Sequence, residues 1–222
     1  DLSVIGKLVK ILKTHRVALL HTHNWDAHLY GTPAALFAPV IAVVHTQHSE
    51  LQYRSWKNDL LRPILGRWID QFVGVSEPAS AFARESGWVS KEKVTTFING
   101  IDPAPFLSLN EADRSQIRQV LNIPMDAPVL INVARHSLIK DHKTLLAAFA
   151  MVQSTWPASH LILVGDGPLR PNLEEIVLKE GLTQWVHFVG MRSDVAALLH
   201  AADLFVMSSL TEGTSISLLE AM

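Results

Sequence analysis

The chain contains no cysteine, so neither a disulfide nor thiolate chemistry is open to it, and the usage fits a cytoplasmic protein. Asp-x-Asp is also missing. The carboxylate pair that often holds Mg²⁺ on a substrate diphosphate is therefore absent, and charge on such a group would have to be met by cations and a helix N-terminus. Neither sign of charge dominates: 19 Lys and Arg oppose 21 Asp and Glu, a net charge of -2, which gives no electrostatic case for nucleic acid. The longest apolar stretch, Ala34 to Val44, is broken by Pro39 and is too short to span a bilayer. Nothing at the N-terminus has a signal-peptide layout, since Asp1 opens it and Lys7, Lys10 and Lys13 punctuate the first helical pattern. The expected location is the cytoplasm, with the inner face of the membrane as the further option. The chain has no initiator Met and ends in a helical pattern without a C-cap, so the expectation is a piece of a longer protein, cut at both ends.

What is present is a large apolar fraction, 48%, with a mean hydropathy of +0.20. Short runs rich in Val, Ile and Phe alternate with helical patterns along the whole length. Strands are expected at 17–21, 40–45, 72–76, 94–99, 129–134, 160–165, 185–190 and 203–208, and helices at 144–152 and 169–179 among others. Near-continuous apolar strands alternating with helices indicate parallel sheets covered on both faces. Asp102-Pro103-Ala104-Pro105 is rigid and extended, so the reading is two doubly wound α/β domains, 1–107 and 108–222. Ligands of such folds bind outside the carboxyl ends of the strands.

Several strand-end segments carry chemistry. Glu212-Gly213-Thr214-Ser215-Ile216 leads from a strand into a helix holding Glu220. Capping hydroxyls, free backbone N–H groups and the helix dipole there would make an anion-binding corner. Arg135 and Lys140 lie five residues apart on another strand-end loop, a planar fork and a point charge that could converge on a diphosphate. A solvated loop explains them as simply. Gly165-Asp166-Gly167-Pro168 and Gly190-Met191 are strand-to-helix turns where backbone could approach a ligand, or plain tight turns. His21, His23, His28, His45 and His48 fall near two adjacent strand ends. The pairs His21/His23 and His45/His48 could ligate zinc, but no Cys or converging carboxylate supports that. Hydrogen bonding to substrate hydroxyls is the preferred reading, with at least two of the five serving as core histidines.

Taken in order, His21-Thr22-His23, Val43-Val44-His45-Thr46, Val75-Ser76, Asn99-Gly100-Ile101-Asp102, Ala134-Arg135 with Lys140, Gly165-Asp166-Gly167-Pro168, Phe188-Val189-Gly190 and Glu212-Gly213 through Glu220-Ala221-Met222 resemble the retaining glycosyltransferases of family four, the glycogen-synthase or group 1 type. The resemblance spans nearly the whole chain. It implies the GT-B architecture of two Rossmann-like domains, the N-terminal one incomplete here. It further implies that Arg135 and Lys140 bind donor phosphates, Glu220 the ribose and Glu212 the transferred sugar. Gly213 and the backbone of Thr214, Ser215 and Ile216 would cradle the diphosphate and sugar. Gly165 belongs to the donor site, Gly190 and Met191 would lie beside the base, His45 would reach the reacting carbon, and His23 would stand on the acceptor side.

The implied reaction moves a hexose-type sugar from a nucleotide diphosphate donor to a hydroxyl on a polysaccharide or lipid-linked glycan. Configuration would be retained, with no cofactor and no metal, and the fragment itself is expected to be inactive. Thr214-Ser215 stands where many members have a bulkier residue and Pro, and Ala-Arg-His replaces the commoner Gly-Arg. A nucleotide-sugar epimerase of GT-B fold and a non-catalytic nucleotide-sugar-binding module are the alternatives. Residues 53–72 place Trp56, Leu60, Leu61, Ile64, Leu65, Trp68, Ile69 and Phe72 beside Arg54, Lys57, Arg62 and Arg67. That pattern fits a peripheral membrane contact, although a core helix with a solvated face is the simpler reading.

Overall fold

The structure, a computed structural model, describes residues 3–48 and 56–222. The chain forms two compact units, Asp1–Asn99 with Glu212–Thr214, and Gly100–Thr211 with Ser215–Met222.

The first unit runs α1 (Ser3–Thr14), β1 (Leu19–His23), α2 (Asn24–Ala35), β2 (Ala42–Gln47), α3 (Trp56–Gly66), β3 (Gln71–Gly74), α4 (Glu77–Glu85) and β4 (Val94–Thr96). Its strands are parallel and adjacent in sequence order, β1-β2-β3-β4, so no reversal of strand order lies among its described residues. The core gathers Trp25, Leu65, Ile69, Phe72, Ala83 and Trp88. The Ser76 hydroxyl caps α4 by accepting from the Ala79 N–H, the N-cap role expected of serine. Residues 53–55 of the amphipathic segment lie outside the described residues.

The second unit comprises α5 (Ala104–Leu107), α6 (Glu111–Val120), β5 (Val129–Val133), α7 (His142–Thr155), β6 (His160–Val164), α8 (Arg170–Lys179), β7 (Val186–Gly190), α9 (Val195–Ala201), β8 (Leu204–Phe205) and α10 (Ile216–Ala221). Its four strands are parallel in the order β7-β6-β5-β8. The alternation of side chains on β6 shows why both faces must be covered: Leu161 and Leu163 enter a cluster with Leu146, Phe149 and Leu173. Ile162 and Val164 enter another with Val129, Ile131 and Leu198. All five β6 residues are buried, the pattern of a central parallel strand.

A buried cation locks this unit at the amino ends of its strands. Arg118 is fully buried and donates to the carbonyls of Ala201, Pro124, Met125 and Ala127 at 3.0, 3.2, 2.9 and 2.9 Å. Its second Nη donates to Asp203 Oδ2 at 3.0 Å, which also accepts the Val129 N–H at 2.8 Å. Arg114 donates to the other Asp203 oxygen at 2.5 Å. Desolvation pushes the Asp203 carboxyl up, but the Arg114 hydrogen bond, the Val129 N–H and the two guanidinium charges together outweigh it and leave the group below its ordinary range.

Candidate active site

Strand order locates the site in the second unit. From β5 the chain winds to β6 and then β7 on one side, while β8 joins the other side of β5. In an open parallel sheet such a reversal of strand order is where a ligand crevice is expected, outside the carboxyl ends of β5 and β8. The β5 loop is the one that carries Arg135, which is exposed. Among the described residues Arg135 has no hydrogen-bond or ion-pair partner. Lys140 ends a 3-10 turn, Leu138–Lys140, and is half-buried.

Backbone hydrogen bonds fasten these loops together. The Leu210 N–H donates to the Ile139 carbonyl at 2.8 Å and the Ser208 hydroxyl to the Lys140 carbonyl at 2.9 Å, tying the β8 loop to the cationic loop. The Asn132 amide, inside the sheet, donates to the Val206 carbonyl at 2.7 Å. On the other side, the His136 N–H donates to the Asp166 carbonyl at 3.0 Å and the Gly165 N–H to the Gly190 carbonyl at 2.8 Å. Glycine is required here by contact: a Cβ on Gly165 would lie 2.2 Å from the Ala134 carbonyl oxygen, and one on Gly167 would lie 2.4 Å from that of His136. Gly190 ends β7 with φ +71°, and Met191 after it is exposed.

Asp141 restarts the chain as α7. It takes a left-handed φ of 43° and accepts the Thr144 N–H at 3.4 Å and the Thr144 hydroxyl at 2.7 Å. Beneath it the rings of His136 and His142 meet edge to face, 4.7 Å between centroids. Burial lowers both pKa values, that of His142 to about 4, so the loop rests on neutral rings. Arg170, near the same edge, is committed to Asp166 and Glu174 at 3.2 and 2.8 Å, unlike the exposed Arg135.

The Glu212–Glu220 corner departs from expectation. Thr214 groups with the first unit, its hydroxyl donating to the Val75 carbonyl at 2.8 Å and its own carbonyl accepting from the Asn99 amide at 3.3 Å. Ser215 Oγ lies 3.1 Å from Ser217 Oγ. Neither hydroxyl caps α10, because each is spent elsewhere. The helix has only 6 residues, so its dipole is short, and Glu220 lies about one turn into it. Glu212 and Gly213 are half-buried on the preceding loop. Burial raises the Glu220 carboxyl above its ordinary pKa. It borders a cavity of about 410 Å³ with Phe106, Arg114, Leu199 and His200, and no hydrogen bond joins it to the strand-end loops among the described residues.

In the first unit, the histidines at 21, 23, 28, 45 and 48 divide by strand geometry. His28 and His45 are fully buried. Thr32 Oγ1 lies 2.7 Å from His28 Nδ1, and Thr22 Oγ1 lies 2.9 Å from His45 Nδ1. His45 is enclosed by His28, Phe72 and Trp88 at ring separations of 4.7, 5.3 and 5.4 Å. Burial lowers its pKa to about 3 and that of His28 to about 4. The expected contact of His45 with a reacting carbon does not fit this placement: the strand runs on to Gln47, and alternation turns His45 into the core. The histidines presented at the strand ends are His23 and His48, both exposed and 2.7 Å apart between Nδ1 and Nε2, with Asn24 Oδ1 accepting the His48 N–H at 3.1 Å. Among the described residues no group of three or more His, Asp or Glu side chains could hold a metal ion, so the zinc reading lacks a third ligand there.

The described chain thus consists of two parallel α/β units, the second with an arginine, unpaired among the described residues, at its strand-order reversal. Its fold is the GT-B architecture of solved glycosyltransferases. It superimposes on an Anabaena protein, HepE, solved with UDP and glucose, with a TM-score of 0.84 and 24% identity over 98% of this chain and 59% of that one. A Rickettsia africae glycosyltransferase matches with a TM-score of 0.70 and 16% identity over 94% of this chain and 56% of that one. Residues 1–105 match Glycosyltransferase Family 4 and residues 113–222 match Glycosyl transferases group 1. The chain belongs to the group 1 glycosyltransferases of family four. Among its curated relatives are an Escherichia coli UDP-Gal:alpha-D-GlcNAc-diphosphoundecaprenol alpha-1,3-galactosyltransferase, 27% identical over 100% of this chain and 59% of the relative. A Streptococcus pneumoniae alpha-monoglucosyldiacylglycerol synthase is 27% identical over 98% of this chain and 52% of the relative. The chain thus spans little more than half the length of these relatives.

Proposed function

We propose that the protein is part of a glycosyltransferase that moves a hexose-type sugar, with retention, from a nucleotide diphosphate donor to a hydroxyl acceptor. The observation that carries this reading is the unpaired, exposed Arg135 beside Lys140, on the loop that leaves β5 at the strand-order reversal. Such a crevice receives the phosphates of a nucleotide, and two cations there can stabilise charge that grows on the departing diphosphate. Gly165 and Gly190 keep the neighbouring turns close enough for backbone to line the same crevice. Glu220 is assigned to the ribose and Glu212 to the sugar, with Gly213, Thr214, Ser215, Ile216 and Met191 as further donor contacts. His48 replaces His45 as the histidine offered to substrate, with His23 on the acceptor side. By name one relative acts on a diphosphoundecaprenol-linked sugar and another makes a monoglucosyldiacylglycerol, which supports a lipid-linked acceptor; a glycan acceptor uses the same donor chemistry. The reported relatives are transferases, and nothing in the site favours an epimerase.

Transition-state charge on the diphosphate is met by Arg135 and Lys140, without a metal. In the full-length protein, Arg135→Ala or Lys140→Ala should lower kcat at least about a hundredfold while donor affinity falls less. Turnover should persist in excess EDTA. Wild-type rates in both variants would refute the assignment, and loss of turnover in EDTA restored by Mg²⁺ or Mn²⁺ would refute the metal-free step.

A further inference from the structure

The cationic loop of the second unit is closed at its base by two side chains. Arg135 lies just past β5, and Lys140 ends the 3-10 turn Leu138–Lys140. The residues that bracket this turn, His136 and His142, bring their rings into contact beneath it. They are 0 and 2% exposed, whereas Leu138 between them is 74% exposed. Each ring is carried by a fixed piece of backbone. The His136 N–H donates to the Asp166 carbonyl at 3.0 Å, and its carbonyl accepts the Leu169 N–H at 3.1 Å. His142 is the first residue of α7, a helix of 14 residues. The loop is thus strung between two anchored points, and the ring contact shuts it.

Imidazole is a costly choice for such a contact. Among the described residues no ring nitrogen of either histidine has a hydrogen-bond partner, and each neutral ring carries one N–H that burial leaves unsatisfied. A phenyl ring would fill the same edge-to-face place without a stranded donor, as Phe188 does beside His136 at 5.9 Å. What imidazole adds is a site for a proton. The charges acting on the pair come from several elements. Asp166, past β6, and Arg170 and Glu174 on α8 act on His136, while Lys140 and Asp141 act on His142. Acids and cations partly offset one another, burial dominates, and both rings stay neutral near neutral pH. A proton on either ring would place a charge in this buried seat, directly after Arg135. A second proton would set two imidazolium rings 4.7 Å apart.

We propose that His136 and His142 form a clasp that positions Arg135 and Lys140 for the donor's phosphates and releases the loop when a ring takes a proton. The proposal rests on the donor-crevice reading and adds two positioning residues to it, which act through Arg135 and Lys140 rather than on the nucleotide. Opening the clasp returns a ring to water and to its ordinary pKa of about 6.5. The closed value for His142 is about 4, below the open one, so closure is fully favoured above about pH 6.5 and weakens as pH falls toward the closed value. Between about pH 7.5 and about pH 5 this ring alone shifts the balance toward the open loop by about twenty-fivefold, and His136 adds to it in the same direction.

Amide hydrogen exchange, corrected for its intrinsic pH dependence, tests the clasp without a ligand. The Leu169 N–H, bonded to the His136 carbonyl, and the Leu210 N–H, bonded to the Ile139 carbonyl, read the loop; the Leu161 N–H, bonded to the Trp185 carbonyl, reads the sheet. From about pH 7.5 to about pH 5 the two loop amides should lose protection at least about twentyfold relative to Leu161. The loss should follow protonation of the two rings, observed by NMR in the unaltered protein. The double variant His136→Phe/His142→Phe should keep these amides protected at both pH values; should it fail to fold, His142→Phe alone should lose most of the pH dependence. Calorimetry with UDP, GDP and ADP reads the positioning role. At about pH 5 the unaltered protein should bind its nucleotide at least about fivefold more weakly than the Phe variant does, the factor for a closed fraction of about one fifth. Comparing the two proteins at one pH cancels the nucleotide's own protonation. Protection independent of pH in the unaltered protein, equal loss at Leu161, pH dependence retained in the Phe variants, or equal nucleotide affinity of the two proteins at about pH 5 would each overturn the clasp. Exchange that follows pH as expected in a protein that binds none of the three nucleotides would instead overturn the donor reading, and the positioning role with it.

Discussion

Replacing Gly165 by alanine tests whether the turns around the crevice are set by backbone contact. The added Cβ would lie 2.2 Å from the Ala134 carbonyl oxygen and 3.0 Å from its carbon, so the two loops must part by about 1 Å to reach ordinary contact distance. Gly165 also has φ +124°, a conformation that costs an L-residue about 1–3 kcal/mol. Parting the loops strains two hydrogen bonds, Ala134 N–H to the Val164 carbonyl at 3.0 Å and Gly165 N–H to the Gly190 carbonyl at 2.8 Å, each worth about 1 kcal/mol. Together these give a loss of about 2–5 kcal/mol, or a fall in Tm on the order of 10 °C for a chain of this size. Because Arg135 follows Ala134 directly, nucleotide affinity should fall as well. Differential scanning calorimetry compares Gly165→Ala with Gly6→Ala. At Gly6, inside α1, nothing lies within 4 Å of an added Cβ, so alanine should stabilise by up to about 1 kcal/mol. If Gly165→Ala melts with the unaltered protein, the packing argument for this turn is wrong.

Arg118→Met should destabilise the second unit by about 3–5 kcal/mol, since it strands four carbonyls and the buried side of Asp203; an unchanged denaturation midpoint would contradict this. His48→Ala should lower turnover of the full-length enzyme at least about tenfold with its melting unchanged. His45→Ala should instead lower the melting temperature, at a cost of about 2–4 kcal/mol for a core truncation; the reverse pattern would restore His45 to the site. Stability should also depend on pH through His28 and His45. Their folded pKa values, about 4 and about 3, lie below the ordinary value, so the unfolded chain binds protons first. The stability they confer is complete above about pH 6.5 and is lost as pH falls from there toward those values, at up to about 1.4 kcal/mol per pH unit for each group. Urea denaturation between about pH 7 and pH 5 should show this slope, flattened in His45→Phe; a flat profile in the unaltered protein would show that the pair is not buried neutral.

The eight strands were legible because each carries an apolar run bounded by turn residues, and in the second unit alternation on β6 feeds both cores. Boundaries were less legible, and one of them mattered. Ending the second strand at 45 made His45 a strand-end residue, whereas the ladder continues to Gln47 and leaves His48 at the end instead. The single-sequence signal for this was weak, since Thr46 and Gln47 are polar yet buried. Strand β8 keeps only 2 residues in the ladder, as nothing in the sequence shows how soon the chain leaves β5. The Arg118–Asp203 lock was invisible because its partners are 85 positions apart. Thr214 and Ser215 looked like capping hydroxyls, and nothing in the sequence shows that Thr214 bonds the Val75 carbonyl. Arg135 and Lys140 could be picked as candidates because the end of an apolar parallel strand is where such a fold exposes its loops. On α3, an amphipathic pattern alone could not show that Arg62 and Leu65 are buried while Trp56 and Leu60 stay exposed.

Titration calorimetry of the protein with UDP, GDP and ADP, repeated on the Arg135→Ala/Lys140→Ala double variant, tests the donor crevice most directly. One of the three nucleotides should bind the unaltered chain, and the double variant should bind it at least about tenfold more weakly while melting at the same temperature. Binding of equal strength in the double variant, or no binding of any of the three by the folded protein, would contradict the placement of the donor phosphates between the β5 and β8 loops.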